Sequence, residues 1–163
     1  MSGPDDGFGG APRLRAAGAF DLQVLAVLQR AAFGDQPGAE LWNDAAWAEL
    51  LAMPGALALI VEAGAAPLGF ALGRFAAEEA ELLTLGVRPT ARRLGLGRAL
   101  IDALVARATA LGARKIFLEV AEDNTNAQRL YRAAGFGEVG RRRGYYRRPR
   151  QTVDAVMMQL TPR

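Results

Sequence analysis

Arg92-Arg93-Leu94-Gly95-Leu96-Gly97-Arg98 lies between an apolar strand-like run, Leu82 to Val87, and a long amphipathic stretch, Leu96 to Leu111. Two glycines and three arginines therefore stand where a helix begins. The first amide groups of a helix have no partner inside it and carry the positive end of its dipole. Glycine lets a ligand approach those amides closely. The combination favours a bound phosphate or pyrophosphate.

Working outward, the hydrophobic pattern divides the chain into short elements. After the loop, Gly97, Leu100, Ile101, Leu104, Val105, Ala108 and Leu111 form one helical stripe, and Gly112 stops it. Lys115 to Val120 reads as a strand. Asn124 or Thr125 caps a short helix, with Thr125 and Gln128 spaced as a capping box, and Gly135 ends it. Phe136 to Gly140 and Val153 to Leu160 close the chain as strands. Before the loop, Glu79 to Val87 is a strand ended by Pro89. Ala56 to Ala63 and Leu68 to Phe75 form a hairpin around Gly64-Ala65-Ala66-Pro67. Ala45 to Met53 is a helix started by Asn43 or Asp44, and Phe20 to Phe33 is another, helped by Asp21. Pro12 to Ala16 is a short first strand. This order predicts a mixed α+β or α/β fold with one sheet, hairpins and one central crossover.

The 163 residues fit one domain, 12–163, behind a flexible leader, 1–11. No apolar run is long enough to span a bilayer, and the acidic, glycine-rich start does not resemble a secretory signal. The expected location is cytoplasmic, with no membrane and no DNA partner. Cysteine and histidine are absent. Thiolate or imidazole metal sites, a Cys nucleophile and a Ser-His-Asp relay are excluded, and no metal is expected. Proton transfer near neutral pH falls to a carboxylate, tyrosine, water or Lys115, the single lysine. Arginine supplies nearly all the positive charge, and it suits anion binding rather than base catalysis. Six arginines fall between Arg141 and Arg150, interleaved with Tyr145 and Tyr146. That cluster fits an RNA surface, a solvated edge strand or one wall of a peptide groove. Asp35, Glu40, Asp44 and Glu49 lie in a stretch free of lysine and arginine, suited to a basic peptide.

Two side chains stand out as chemistry. In Lys115-Ile116-Phe117-Leu118-Glu119-Val120, alternation puts Glu119 with Phe117 and Lys115, opposite Ile116, Leu118 and Val120. Glu119 is either a solvated carboxylate or a general base. Tyr131 shares a stripe with Ala127, Leu130 and Ala134, as a core tyrosine or a general acid. A dinucleotide fold is the rival reading of the loop, with Glu119 as ribose-binding acid. Leu100 at the third glycine position, and seven residues from strand to first glycine, oppose it.

Taken together these residues resemble the GNAT superfamily of N-acetyltransferases. Arg92-Arg93-Leu94-Gly95-Leu96-Gly97 matches its Arg/Gln-x-x-Gly-x-Gly/Ala signature, and Leu83 to Pro89 looks like its central strand. Leu118-Glu119-Val120, Asn124, Leu130-Tyr131 and Gly135-Phe136 look like the bacterial ribosomal-protein-alanine N-acetyltransferase subgroup. The resemblance implies a mixed, mostly antiparallel sheet with helices on both faces. Two parallel strands, here Glu79 to Val87 and Lys115 to Val120, would splay to admit the cofactor.

It implies acetyl-coenzyme A as donor. Leu85, Gly86 and Val87 would offer backbone groups to the acetyl and pantetheine parts. Arg92, Arg93, Leu94, Gly95, Leu96, Gly97 and Arg98 would cradle the pyrophosphate, and Asn124 would contact the pantetheine arm. Glu119 would be the base and Tyr131 the acid. The acceptor would be a primary amine, first the N-terminal α-amine of a protein such as a ribosomal protein. A small amine, a lysine side chain, or a non-catalytic coenzyme-A-binding role are the alternatives. The chain departs from the subgroup at three places. Leu94 replaces an arginine, Gly144 an asparagine before the tyrosine pair, and Arg147-Arg148 a proline after it.

Overall fold

The computed structural model describes residues 9–36 and 38–163. Residues 1–8 of the expected leader lie outside the described residues. A single seven-stranded sheet runs through the fold in the order β1-β2-β3-β4-β5-β7-β6. Its strands are β1 (Pro12–Ala16), β2 (Ala56–Ala63), β3 (Ala66–Ala76), β4 (Glu79–Val87), β5 (Lys115–Ala121), β6 (Gly137–Arg147) and β7 (Thr152–Leu160). The helices are α1 (Leu22–Phe33), α2 (Asp44–Ala52), α3 (Leu96–Ala110) and α4 (Thr125–Ala133).

Every strand pair is antiparallel except β4 with β5, which the α3 crossover joins in parallel. Helices cover both faces. Alternation along β2 explains why its sequence is apolar throughout: Leu59 and Val61 join Leu100, Ile101 and Leu104 of α3, while Ile60 joins Leu25, Leu28 and Trp47 of α1 and α2. Each face excludes water over its own cluster, and burial of this apolar surface is the main force holding the layers. Gly73 lets α3 lie close, since a Cβ there would come within 2.9 Å of Leu104 Cδ1.

The parallel pair is short. Only Glu79 to Leu82 faces Lys115 to Leu118. At that point the β3–β4 register shifts between Leu72 and Gly73, leaving Leu83 as an extra residue. Such a bulge bends the strand that carries it. Beyond it β4 stays with β3 while β5 continues along β7 to Ala121. The two strands therefore part, as expected for a splayed pair.

Local details refine the sequence reading. A 3-10 turn at Ala19–Asp21 precedes α1, and Asp21 accepts the Gly18 N–H (2.9 Å). Asn43 caps α2 through the Ala46 N–H. Leu111, expected on the buried stripe of α3, is exposed because the helix ends at Ala110 and Gly112 turns with φ +103°. The strand expected over Phe136 to Gly140 runs on to Arg147, paired with β7 around two register shifts.

Candidate active site

The gap between β4 and β5 opens into a cleft of about 1140 Å³, larger than most small-ligand pockets at roughly 300–1,000 Å³. One wall is the β4 edge, Leu83 to Val87, which has no strand to pair with on the β5 side beyond Leu82. Its backbone groups on that side are left for a ligand. Gly86 is a glycine for packing: a Cβ would come within 2.8 Å of Ala32 and Phe70.

The floor is the start of α3. Gly95 is the N-cap residue, left-handed at φ +76°, and among the described residues no side chain caps the helix. A Cβ on Gly95 would meet nothing within 4 Å, so backbone conformation, not space, requires glycine there. Gly97 instead packs under α4, with Leu130 Cδ2 at 3.1 Å from its would-be Cβ. Gly95, Leu96, Gly97 and Arg98 of this turn line the cleft, and a helix start of this kind suits an anion.

The three arginines of the loop divide. Arg92 Nη2 donates to the Ala32 carbonyl (3.0 Å) and ties the loop to α1. Arg98 bonds Asp102 Oδ1 (2.9 Å) and the Ala133 carbonyl (2.8 Å), stapling α3 to α4. Arg93, at φ +66°, lines the cleft and among the described residues makes no ion pair or side-chain hydrogen bond. Leu94 is 48% exposed and does not line the cleft.

The opposite wall is the end of β5 and the first turn of α4, with Glu119, Val120, Ala121, Asn124 and Tyr131. The Asn124 side chain accepts the Ala127 N–H (3.2 Å) and caps α4. The Thr125–Gln128 capping box does not form. Gln128 is buried and donates to the Ala121 (3.1 Å) and Glu122 (2.9 Å) carbonyls, holding the turn that joins Glu119 to Tyr131. With its oxygen used as the cap, Asn124 has its amide N–H groups left for a ligand.

Glu119 has a side chain 19% exposed, with Oε1 2.7 Å from Arg142 Nε. Tyr131 is buried, and burial, then the neighbouring Tyr146, pushes its phenol up to about 12. Among the described residues no protein group hydrogen-bonds its hydroxyl. Tyr146 is also raised, by burial first and then by the charge of Glu119. The carboxylate and the two phenols thus form one group.

The mouth is built from two segments far apart in sequence. Gln29, on α1 and 2% exposed, donates to the Glu40 carbonyl (3.2 Å) and accepts the Trp42 N–H (2.8 Å). It pins the loop after α1, whose Gln36, Gly38, Ala39, Glu40 and Trp42 line the cleft. Tyr145 to Arg148 of the β6–β7 hairpin lie along it too. A buried glutamine on an apolar helix stripe was the available sequence signal for Gln29 and for Gln128.

An acetyltransferase (GNAT) family model matches residues 23–136. The chain belongs to that family. Among GNAT relatives, N-alpha-acetyltransferase RimI of Mycobacterium tuberculosis is 38% identical over 132 residues, 78% of this chain and 79% of its own. The bS18-alanine N-acetyltransferase of Escherichia coli is 37% identical over 91 residues, 56% of this chain. That match spans 62% of the relative's length. The crystal structure of the E. coli ribosomal-protein-S18-alanine N-acetyltransferase superposes with a TM-score of 0.83 at 27% identity, covering 93% of this chain and 94% of that one. The GNAT fold, with its mostly antiparallel seven-stranded sheet, is the one the signature loop implied. No described helix is long and apolar enough to cross a membrane.

Proposed function

We propose that the chain moves an acetyl group from acetyl-coenzyme A to the N-terminal α-amine of a protein, with a ribosomal protein as acceptor. The observation that carries this reading is one cleft lined by a carboxylate, a phenol, an unpaired strand edge and an uncapped helix start. The names of the relatives support the acceptor class.

When bound, the thioester supplies an activated acetyl group. The amides of Gly95 to Arg98 and the guanidinium of Arg93 hold its pyrophosphate. Backbone groups of Leu85, Gly86 and Val87 would orient the acyl end, and an amide N–H there would offset charge on its carbonyl oxygen. Asn124 donates to the pantetheine arm through the N–H groups its capping role leaves free. Coenzyme A is large and anionic, and the cleft meets it with amides, the guanidinium of Arg93 and a groove of sufficient volume.

Glu119 takes the proton of the acceptor amine. An α-amine titrates at about 8 and a lysine at about 10.4, so the former is the easier proton to remove. Tyr131, which lines the same cleft, would serve the departing sulfur. A thiol titrates at about 8.5, whereas this phenol stands at about 12. Outright transfer of the tyrosine proton to a thiolate is therefore uphill. Tyr131 works as a hydrogen-bond donor that steadies the leaving charge. No side chain need become acetylated, which suits a chain without cysteine.

The test compares kcat/KM for a peptide with a free N-terminal alanine, the same peptide N-blocked and carrying one lysine, and a small primary amine. The free α-amine should be favoured at least about tenfold, or about 1.4 kcal/mol in transition-state binding. Preference for the lysine peptide or the small amine would overturn the acceptor assignment.

A further inference from the structure

The ion pair on Glu119 is unlike the others on the same hairpin. Arg148 grips Asp123 with two hydrogen bonds of 2.9 and 3.1 Å. The contact between Arg142 Nε and Glu119 Oε1 is shorter, at 2.7 Å, but no such aligned hydrogen bond accompanies it among the described residues. The two partners also differ in freedom. Glu119 is 19% exposed on a strand paired along its length with β7, whereas Arg142 is 55% exposed on the edge strand β6.

In the same pose Arg142 holds a second contact that does not depend on Glu119. Its guanidinium lies 5.7 Å from the centre of the Tyr145 ring, which stacks edge-on against Tyr146 at 5.1 Å. A bulge sets up this arrangement. β6 pairs Arg142 with Ala155, then resumes only at Tyr146 with Val153. Gly144, at φ +59°, donates its N–H to Asp154 Oδ1 (2.9 Å) and fixes the intervening turn. Tyr145 and Tyr146 line the cleft, whereas Arg142 reaches Glu119 from outside its walls.

We infer that Arg142 is a resident counter-ion of Glu119 that the acceptor's ammonium group displaces, which makes Arg142 a residue that sets which amines bind. The inference rests on Glu119 receiving the amine. An α-amine titrating at about 8 arrives mostly as a cation near neutral pH. Two cations on one carboxylate repel each other. The one able to leave is Arg142, because its charged end is already near water and a π face lies close by. Glu119 stays paired until the exchange, so the cleft is never left with a lone buried charge. A neutral chain end brings no charge to replace the guanidinium and is disfavoured.

Equilibrium binding to the full chain saturated with coenzyme A, which cannot donate acetyl, tests this. The probes are an alanine-starting peptide with a free amine and the same peptide N-acetylated. In Arg142→Gln the free-amine peptide should bind about 2- to 5-fold tighter, the range of an exposed ion pair, with the acetylated peptide unchanged. Arg142→Lys should restore the wild-type ratio of the two. An unchanged ratio in Arg142→Gln, or equal weakening of both peptides, would overturn the inference. Glu119→Gln separates the premise. It should abolish the preference for the free amine, and a preference that survives it removes Glu119 from the amine site whatever Arg142 does. Arg142→Met provides an uncharged second variant, held to the same ratio.

Discussion

Gly38 lies against the carbonyl of Arg147, so closely that a Cβ would come within 2.7 Å of that oxygen. The loop after α1 and the β6–β7 hairpin thereby meet across the cleft mouth. Gly38 also sits at φ +74°, a conformation other residues adopt at a cost. Gly38→Ala should push the loop off the hairpin and raise acceptor KM several-fold. Affinity for coenzyme A, proposed to lie along β4 and α3, should stay the same by calorimetry. Equal loss of both would mean that the contact supports the whole cleft.

Tyr131→Phe removes the donor that steadies the leaving sulfur and keeps the ring in the core. The value of kcat should fall by about 10²-fold, the cost of removing one hydrogen-bond donor to developing charge, with acceptor KM little changed. The pH dependence follows from the raised phenol. In the folded chain it stays protonated to about 12, while the unfolded chain releases that proton near 10. Between these values the native state binds more protons, so stability falls as pH rises through that window. Thermal melts from pH 9 to 11 should decline more steeply in wild type than in Tyr131→Phe.

Gly95→Ala should cost about 1 kcal/mol of stability through its left-handed backbone, with no clash, and weaken coenzyme A binding. Gly95→Asn should lose less stability, because asparagine tolerates that conformation better. Chemical denaturation with calorimetry checks both effects.

Gln128→Ala removes the side-chain donor from the Ala121 carbonyl, which keeps the Asn124 N–H, and from the Glu122 carbonyl at the surface. An expected loss of about 1 kcal/mol follows from losing these hydrogen bonds while the carbonyls keep the Asn124 N–H or water as partners. The turn between Glu119 and Tyr131 would loosen with it, so kcat should drop even at temperatures where the variant stays folded.

Much of the fold was legible because glycines and prolines punctuate strongly periodic runs. Leu100, Ile101 and Leu104 kept to one face, and Glu79 to Val87 formed a strand with the bounds its sequence suggested. The length of β6 was not legible. Gly140 to Gly144 is glycine and arginine, without alternation, and its pairing comes from β7 and from Asp154 rather than from local preference. At the site, residue type and spacing pointed to the loop and left Glu119 and Tyr131 open between ordinary and chemical roles; it was the family resemblance that paired them as base and acid. The different duties of Arg92, Arg93 and Arg98 could not. A guanidinium serves a carbonyl as well as a phosphate, and only the packing of α1 and α4 against the loop decides between them. Likewise Thr125 and Gln128 satisfied the spacing of a capping box, but Gln128 points inward and Asn124 takes the cap.

Rapid mixing of the chain with one equivalent of acetyl-coenzyme A, with and without an alanine-starting peptide, tests direct transfer within this cleft. Thiol should be released only when the peptide is present, the peptide should gain one acetyl group at its α-amine, and the mass of the chain should not change. Thiol release without peptide, or an acetyl group found on the chain itself, would contradict direct transfer.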